Sequence, residues 1–314
     1  MKSGTKYYFV VVFIMLLGVV GQTVGPLALM ASAAVTRNDD EQIPTGKGWG
    51  ERPAPGHRAP FAWRGTASNG ISYHGGPVIL GTTNVYYIWY GNWNNNSATT
   101  ILTDFANNIG GSPYFNINTT YYDKSNMHVS NAVHWVRSTT DSYSQGSNLS
   151  DAGVQAVVSS AIASGRLPQD TNGVYFVLTS ADVNETSGFC TLYCGWHTSA
   201  IMNLADIKYA FVGNPDRCPS ACEAQSTGPN GSAGADGMAS IIAHELEEAV
   251  TDPDLNAWYD RRGQENADKC AWTFGTTYST SNGASANMQL GGRDFLIQQN
   301  WVNASGGYCA TSYP

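Results

Sequence analysis

Charge is what this sequence has least of. Asp, Glu, Lys and Arg together make up 13% of its 314 residues, about half the usual share. Sixteen basic residues face 24 acidic ones, for a net charge of −8. No basic patch stands out, and phosphate neutralisation carries most nucleic-acid affinity, so the composition argues against a nucleic-acid partner. A Gly-rich phosphate loop and a Gly-x-Ser-x-Gly elbow are both missing, which leaves no sign of a nucleotide-binding loop or of a serine hydrolase of that kind. Cysteine is missing from the first 189 residues. Beyond about Met30, no stretch is apolar enough to cross a bilayer.

What the N-terminus does have is an export pattern. Lys2 and Lys6 are followed by an almost wholly apolar stretch from Tyr7 to about Met30, and then by Ala31-Ser32-Ala33. A positive start, an apolar centre and a small-x-small site are the features a signal peptidase reads. A retained membrane anchor is the other use of such a segment. The small residues and the polar stretch behind them favour cleavage, with residues 1–33 removed. Removal takes away two lysines and no acid, and the net charge moves from −8 to about −10. The expected location is extracellular, with no membrane span after cleavage.

The six cysteines are Cys190, Cys194, Cys218, Cys222, Cys270 and Cys309. An even count in an exported chain reads as disulfides. Their spacing resembles metal knuckles, but zinc knuckles more often use two intervening residues, and export disfavours free thiolates. Many pairings are open; the favoured set is Cys190–Cys194, Cys218–Cys222 and Cys270–Cys309.

Residues 34–75 are rich in Gly, Pro, Arg and Asn without an apolar period, and read as a disordered or extended lead-in. The ordered domain is expected over 76–314. Thr83 to Tyr90 is a β-rich run, and 98–108 has helical spacing. Met127 to Arg137 alternates like a strand. Ser150-Asp151 caps a helix that Gly165 ends. Val174–Leu178 and Ile207–Val212 are short buried strands. A helix beginning at Asp236 or Gly237 is stopped by Pro253. This order predicts one α/β or α+β domain, with a mixed or mostly parallel sheet, flanking helices and a disulfide-stapled C-terminal half.

The last helix carries His244-Glu245-Leu246-Glu247-Glu248. His244 and Glu248 are four apart and share one face, the spacing at which a helix offers two ligands to one metal. Glu245 stands where the general base stands in a His-Glu-x-x-His zinc hydrolase, which makes the helix zincin-like. Glu replaces the second His, and two His plus one carboxylate is a known catalytic zinc set. The third ligand is predicted to be Glu265. Asp268 and His197 are the supporting or alternative ligands, whereas Asp252 lies at the helix end. An acidic surface helix would produce the same letters, with Glu247 as one more solvated charge. His57 and His74 fall in the lead-in, and His128 and His134 read as packing or surface residues. Tyr86, Tyr87, Trp89, Tyr90 and Trp93 read as a buried strand rather than a sugar-stacking platform.

Several ordered blocks resemble the EXORDIUM, or phosphate-induced protein, family of secreted plant proteins with microbial relatives. They include Asn84-Val85-Tyr86-Tyr87-Ile88-Trp89-Tyr90-Gly91, Cys194-Gly195-Trp196-His197, and Tyr209-Ala210-Phe211-Val212-Gly213-Asn214. Further on come Cys218-Pro219-Ser220-Ala221-Cys222, the His244–Glu248 block, Asn256-Ala257-Trp258-Tyr259 and Glu265-Asn266-Ala267-Asp268-Lys269-Cys270. The resemblance implies an extracellular protein, tied in plants to cell expansion and growth signalling, and no settled enzymatic activity. Family members read Thr-Asn-Pro where this chain has Thr251-Asp252-Pro253, which disfavours Asp252 as an essential ligand. Two functions are therefore in play. One is a secreted zinc-dependent hydrolase with His244, Glu248 and Glu265 on the metal and Glu245 as base. The other is a non-catalytic cell-wall or cell-surface protein involved in growth signalling, partnered by an extracellular or cell-wall component, with the same residues in a structural metal site or a buried polar network.

Overall fold

The structure is a computed structural model and describes residues 42–47 and 70–314. The expected signal at 1–33, and residues 34–41 and 48–69 of the expected lead-in, lie outside the described residues.

Strand β1, Thr83–Tyr90, is buried along nearly its whole length. A strand covered on both faces shows a continuous apolar run rather than alternation, and this one does. Helix α1, Ala98–Asn108, turns Ile101, Leu102 and Phe105 inward. Strand β2, Val133–Asp141, pairs parallel with one side of β1. Helix α2, Asp151–Ala163, begins where the Ser150 hydroxyl accepts from the Gly153 N–H at 3.1 Å. It ends ahead of Gly165, whose φ of +71° suits a residue without Cβ. Strand β3, Gly173–Thr179, then pairs parallel with the other side of β1.

Strand β4, Gly195–Met202, and strand β5, Ala205–Val212, form an antiparallel hairpin, and β5 joins β3 in parallel. The sheet order is β2-β1-β3-β5-β4. The α1 crossover runs from β1 out to β2, and the α2 crossover runs back from β2 past β1 to β3, so right-handed connections in opposite directions put the two helices on opposite faces of the sheet. Helix α3, Ala233–Thr251, packs beside α1 and against β3, β4 and β5. The expected mixed α/β sheet with a stapled C-terminal half is the observed fold.

Four details differ from expectation. Strand β2 starts at Val133 rather than Met127, because its pairing begins opposite Thr83, whose N–H donates to the Ala132 carbonyl. Helix α3 starts three residues before Asp236, where Ser232 caps it through the Ala235 N–H. Strand β4 had no clear signal. Its two-residue turn puts Asn203 and Leu204 at positive φ, without the glycine that marks such turns. The lead-in is not wholly loose: residues 42–47 and 70–75 are ordered, with Ser72–Tyr73 pairing with Trp258–Tyr259.

The two local disulfides are also corrected. Cys190 bonds Cys218 and Cys194 bonds Cys222, while Cys270 bonds Cys309. Residues 219–222 form a helical turn, so Cys218 and Cys222 project side by side rather than at each other. Cys190 and Cys194 face them, and two parallel rungs result. The rungs tie the approach to β4 to the approach to α3, which are the two elements that bring His197 and His244 together.

Candidate metal centre

Helix α3 is buried on almost every side. An ordinary core helix of that kind is apolar all round. This one carries His244, Glu245, Glu247 and Glu248, each exposed by 1% or less. Buried charges need partners, which removes the reading of a solvated acidic face.

The partners come from the 265–268 loop and from β4. His244 Nε2 lies 3.0 Å from Glu248 Oε1 and 3.6 Å from Asp268 Oδ1. On the other side of Glu248, His197 Nε2 lies 3.7 Å from Oε2. The same nitrogen is 3.2 and 3.3 Å from the two oxygens of Glu265. The loop is held in place by its own backbone: the Asp268 N–H donates to Glu248 Oε1 at 3.0 Å, and the Glu265 N–H donates to Asp268 Oδ2 at 3.1 Å. The Cys270–Cys309 bond pins its end. Among the described residues, two sets have ligand atoms within 4.8 Å of one another: His244, Glu248 and Asp268; and His197, Glu248 and Glu265. Glu265 therefore faces His197, and Asp268 takes the place beside His244.

Burial sets the electrostatics. It pushes the Glu248 carboxyl up to about 7, helped by the charge of Asp268. Burial again, then Glu248 and Asp252, hold Glu265 well above the usual carboxylate range. Burial lowers His197 to about 3, which keeps the ring neutral, the form that binds metals. Crowded buried carboxylates favour a bound cation. Glu245 contributes to the raised Glu265 carboxyl. Its carboxylate fits because β4 has glycine there: a Cβ on Gly195 would stand 3.0 Å from Glu245 Oε1.

Two residues were undervalued in the sequence. Glu247 is no surface charge. It turns to the opposite side, takes a short hydrogen bond from the Asn300 amide, and is pushed well above the carboxylate range by burial. Asp252 accepts the Asn256 and Ala257 N–H groups at 2.6 Å each and shapes the turn after α3. Their one signal was their position on or just after a helix with no polar face. His74 stacks on Tyr259 at 3.7 Å, His128 lies against the Thr119 carbonyl, and His134 is exposed on β2. His57 lies outside the described residues. Tyr86, Tyr87, Trp89, Tyr90 and Trp93 are buried, as a core strand and its turn require.

Residues 42–47 meet the outer edge of β4 at Gly46. The Gly46 carbonyl accepts the His197 N–H at 3.0 Å, and the Arg261 carbonyl accepts the Gln42 N–H at 3.0 Å. Gly46 has φ +67°, and a Cβ there would stand 1.9 Å from the His197 carbonyl oxygen. Lys47 anchors the segment on Asp151 at 2.5 Å and Ser187 at 2.6 Å. An edge strand offers unpaired backbone groups, and Gly46 covers one of them, at His197 beside the cluster.

Residues 71–311 match the family described as "Phosphate-induced protein 1 conserved region". The chain belongs to the phosphate-induced protein 1 family. Its relatives in that family include Protein EXORDIUM-like 5 of Arabidopsis thaliana, 33% identical over 74% of this chain and 75% of the relative. Protein EXORDIUM-like 3 of the same plant is 32% identical over 76% of this chain and 82% of its own length. Protein PHOSPHATE-INDUCED 1 of Nicotiana tabacum is 27% identical over 60% and 67%. No solved structure matches the chain. The family match spans β1 to the last disulfide, and so includes the whole His/carboxylate cluster of this phosphate-induced protein 1 family member. Among the described residues, no helix is long and apolar enough to cross a membrane.

Proposed function

We propose that this chain is an exported extracellular protein whose buried His/carboxylate cluster binds zinc and serves hydrolysis. Three disulfides and the N-terminal export pattern support an oxidising location. The observation that carries the metal reading is the convergence of His244, Glu248 and Asp268, with Glu265 and His197 across Glu248, inside a core helix. The donors are imidazole and carboxylate, a set that suits zinc. A bound zinc ion supplies acidified water. Glu245, next in sequence to His244 and close to Gly195, would be the group that takes a proton from such a water.

A structural metal site is the second reading, favoured by one observation: every ligand side chain is 4% exposed or less. Purified oxidised protein should carry zinc, or take it up and retain it after removal of excess, as measured by plasma mass spectrometry. Protein that neither carries nor takes up zinc sinks the metal reading. Glu245→Gln should keep the zinc and lower hydrolysis of a fluorogenic peptide library by about 10²–10⁴-fold. Equal activity in variant and parent, or zinc binding without any hydrolysis, assigns the site to structure.

A further inference from the structure

Glu248 belongs to both ligand sets, and its two oxygens face different histidines. Oε1 faces His244 at 3.0 Å, and Oε2 faces His197 at 3.7 Å. The five residues do not form one set, even at a spacing of 4.8 Å. Ligands of a single zinc ion, bound at about 2.0–2.2 Å, stand no more than about 4.4 Å apart. One ion therefore does not reach all five. A carboxylate spanning two imidazole-carboxylate pairs is the arrangement of a two-metal site, where the ions sit about 3.5–4 Å apart.

Building on the metal reading above, we propose that the cluster holds two divalent ions bridged by Glu248, one on His244 and Asp268, the other on His197 and Glu265. The charges agree with that count. Three carboxylates and two neutral imidazoles carry three negative charges against four positive ones. The one remaining positive charge is faced by Glu245 and Asp252, the two further carboxyls whose charge reaches Glu265. Each position has one nitrogen and carboxylate oxygens, a donor set for zinc, cobalt or manganese rather than for copper(I), which prefers sulfur. The two sets also come from different parts of the chain. His244 and Glu248 lie on α3, and His197 lies on β4, so the second position forms where β4 packs against α3, beside the disulfide rungs.

Zinc titration of the metal-stripped full-length protein, followed by plasma mass spectrometry, tests this. Two tightly bound equivalents are expected, falling to one in His197→Ala and to one in His244→Ala. One equivalent in the parent overturns the paired site and leaves the metal reading standing. No equivalent overturns both. A second equivalent that survives His197→Ala also overturns the proposal. Manganese-loaded parent protein gives a second readout that needs no variant. Electron paramagnetic resonance should show an exchange-coupled pair, and an isolated six-line signal alone contradicts it.

Discussion

Glu248→Gln should empty the cluster of metal, whereas changes to its neighbours should leave part of the binding intact. Glu248 is the one residue in both ligand sets, and its two oxygens divide between His244 and His197. Loss of a group that merely orients a ligand typically costs about 10–100-fold in metal affinity. Loss of a shared ligand should exceed 100-fold, read as the zinc concentration needed for half-loading. The amide keeps the volume and can still accept the Asp268 N–H, so no cavity opens. The variant should fold, and without metal it should be no less stable than the parent, because a buried charge crowded by Asp268 has gone. Tight zinc binding in folded Glu248→Gln would remove Glu248 from the centre.

Metal-stripped protein should lose stability as pH rises from 6.5 to 8, and more steeply than zinc-loaded protein, whose ligands are already deprotonated. In the folded chain, burial pushes Glu248 and Asp252 up to about 7 and holds Glu247 and Glu265 well above the carboxylate range. In the unfolded chain these groups are ionised by about pH 5. Glu248 and Asp252 release their protons near the start of the window, while Glu247 and Glu265 hold theirs across it after the unfolded state has released its own, and stability falls with pH by about 1.4 kcal/mol per unit for each proton retained. His197 works the other way, since its lowered value of about 3 makes stability rise with pH. That contribution ends near the unfolded histidine value of about 6.5, below the window. Two retained protons imply a melting temperature about 5–10 °C lower at pH 8 than at 6.5. Zinc binds the deprotonated ligands, so its stabilisation should grow over the same range. Scanning calorimetry with and without zinc checks both slopes. A flat profile for the stripped protein would contradict the buried-carboxylate account.

The sheet was legible because its central strands are covered on both faces, and Tyr86–Tyr90 and Val174–Leu178 therefore show as apolar runs. Strand β4 was not, because its turn uses Asn203-Leu204 and its sequence is short of apolar residues beside the cysteines. The cysteine ladder was hidden for a geometric reason: spacing along the chain cannot distinguish a bond within a turn from two bonds between turns. The site divides in the same way. His244 and Glu248 could be paired from helical periodicity alone. The division of Glu265 to His197 and Asp268 to His244 depends on how the 265–268 loop folds back on α3, a tertiary contact without a local signature. Glu247 misled because burial on all sides of α3 turns an apparent surface charge into a core residue.

Anomalous diffraction from zinc-soaked crystals, recorded on both sides of the zinc absorption edge, bears most directly on whether this cluster is a metal centre. The proposed metal centre predicts density bounded by His244, Glu248 and Asp268, with a second peak toward His197 and Glu265. An anomalous map with no peak at the cluster, from protein whose His244 and Glu248 are ordered, would contradict it.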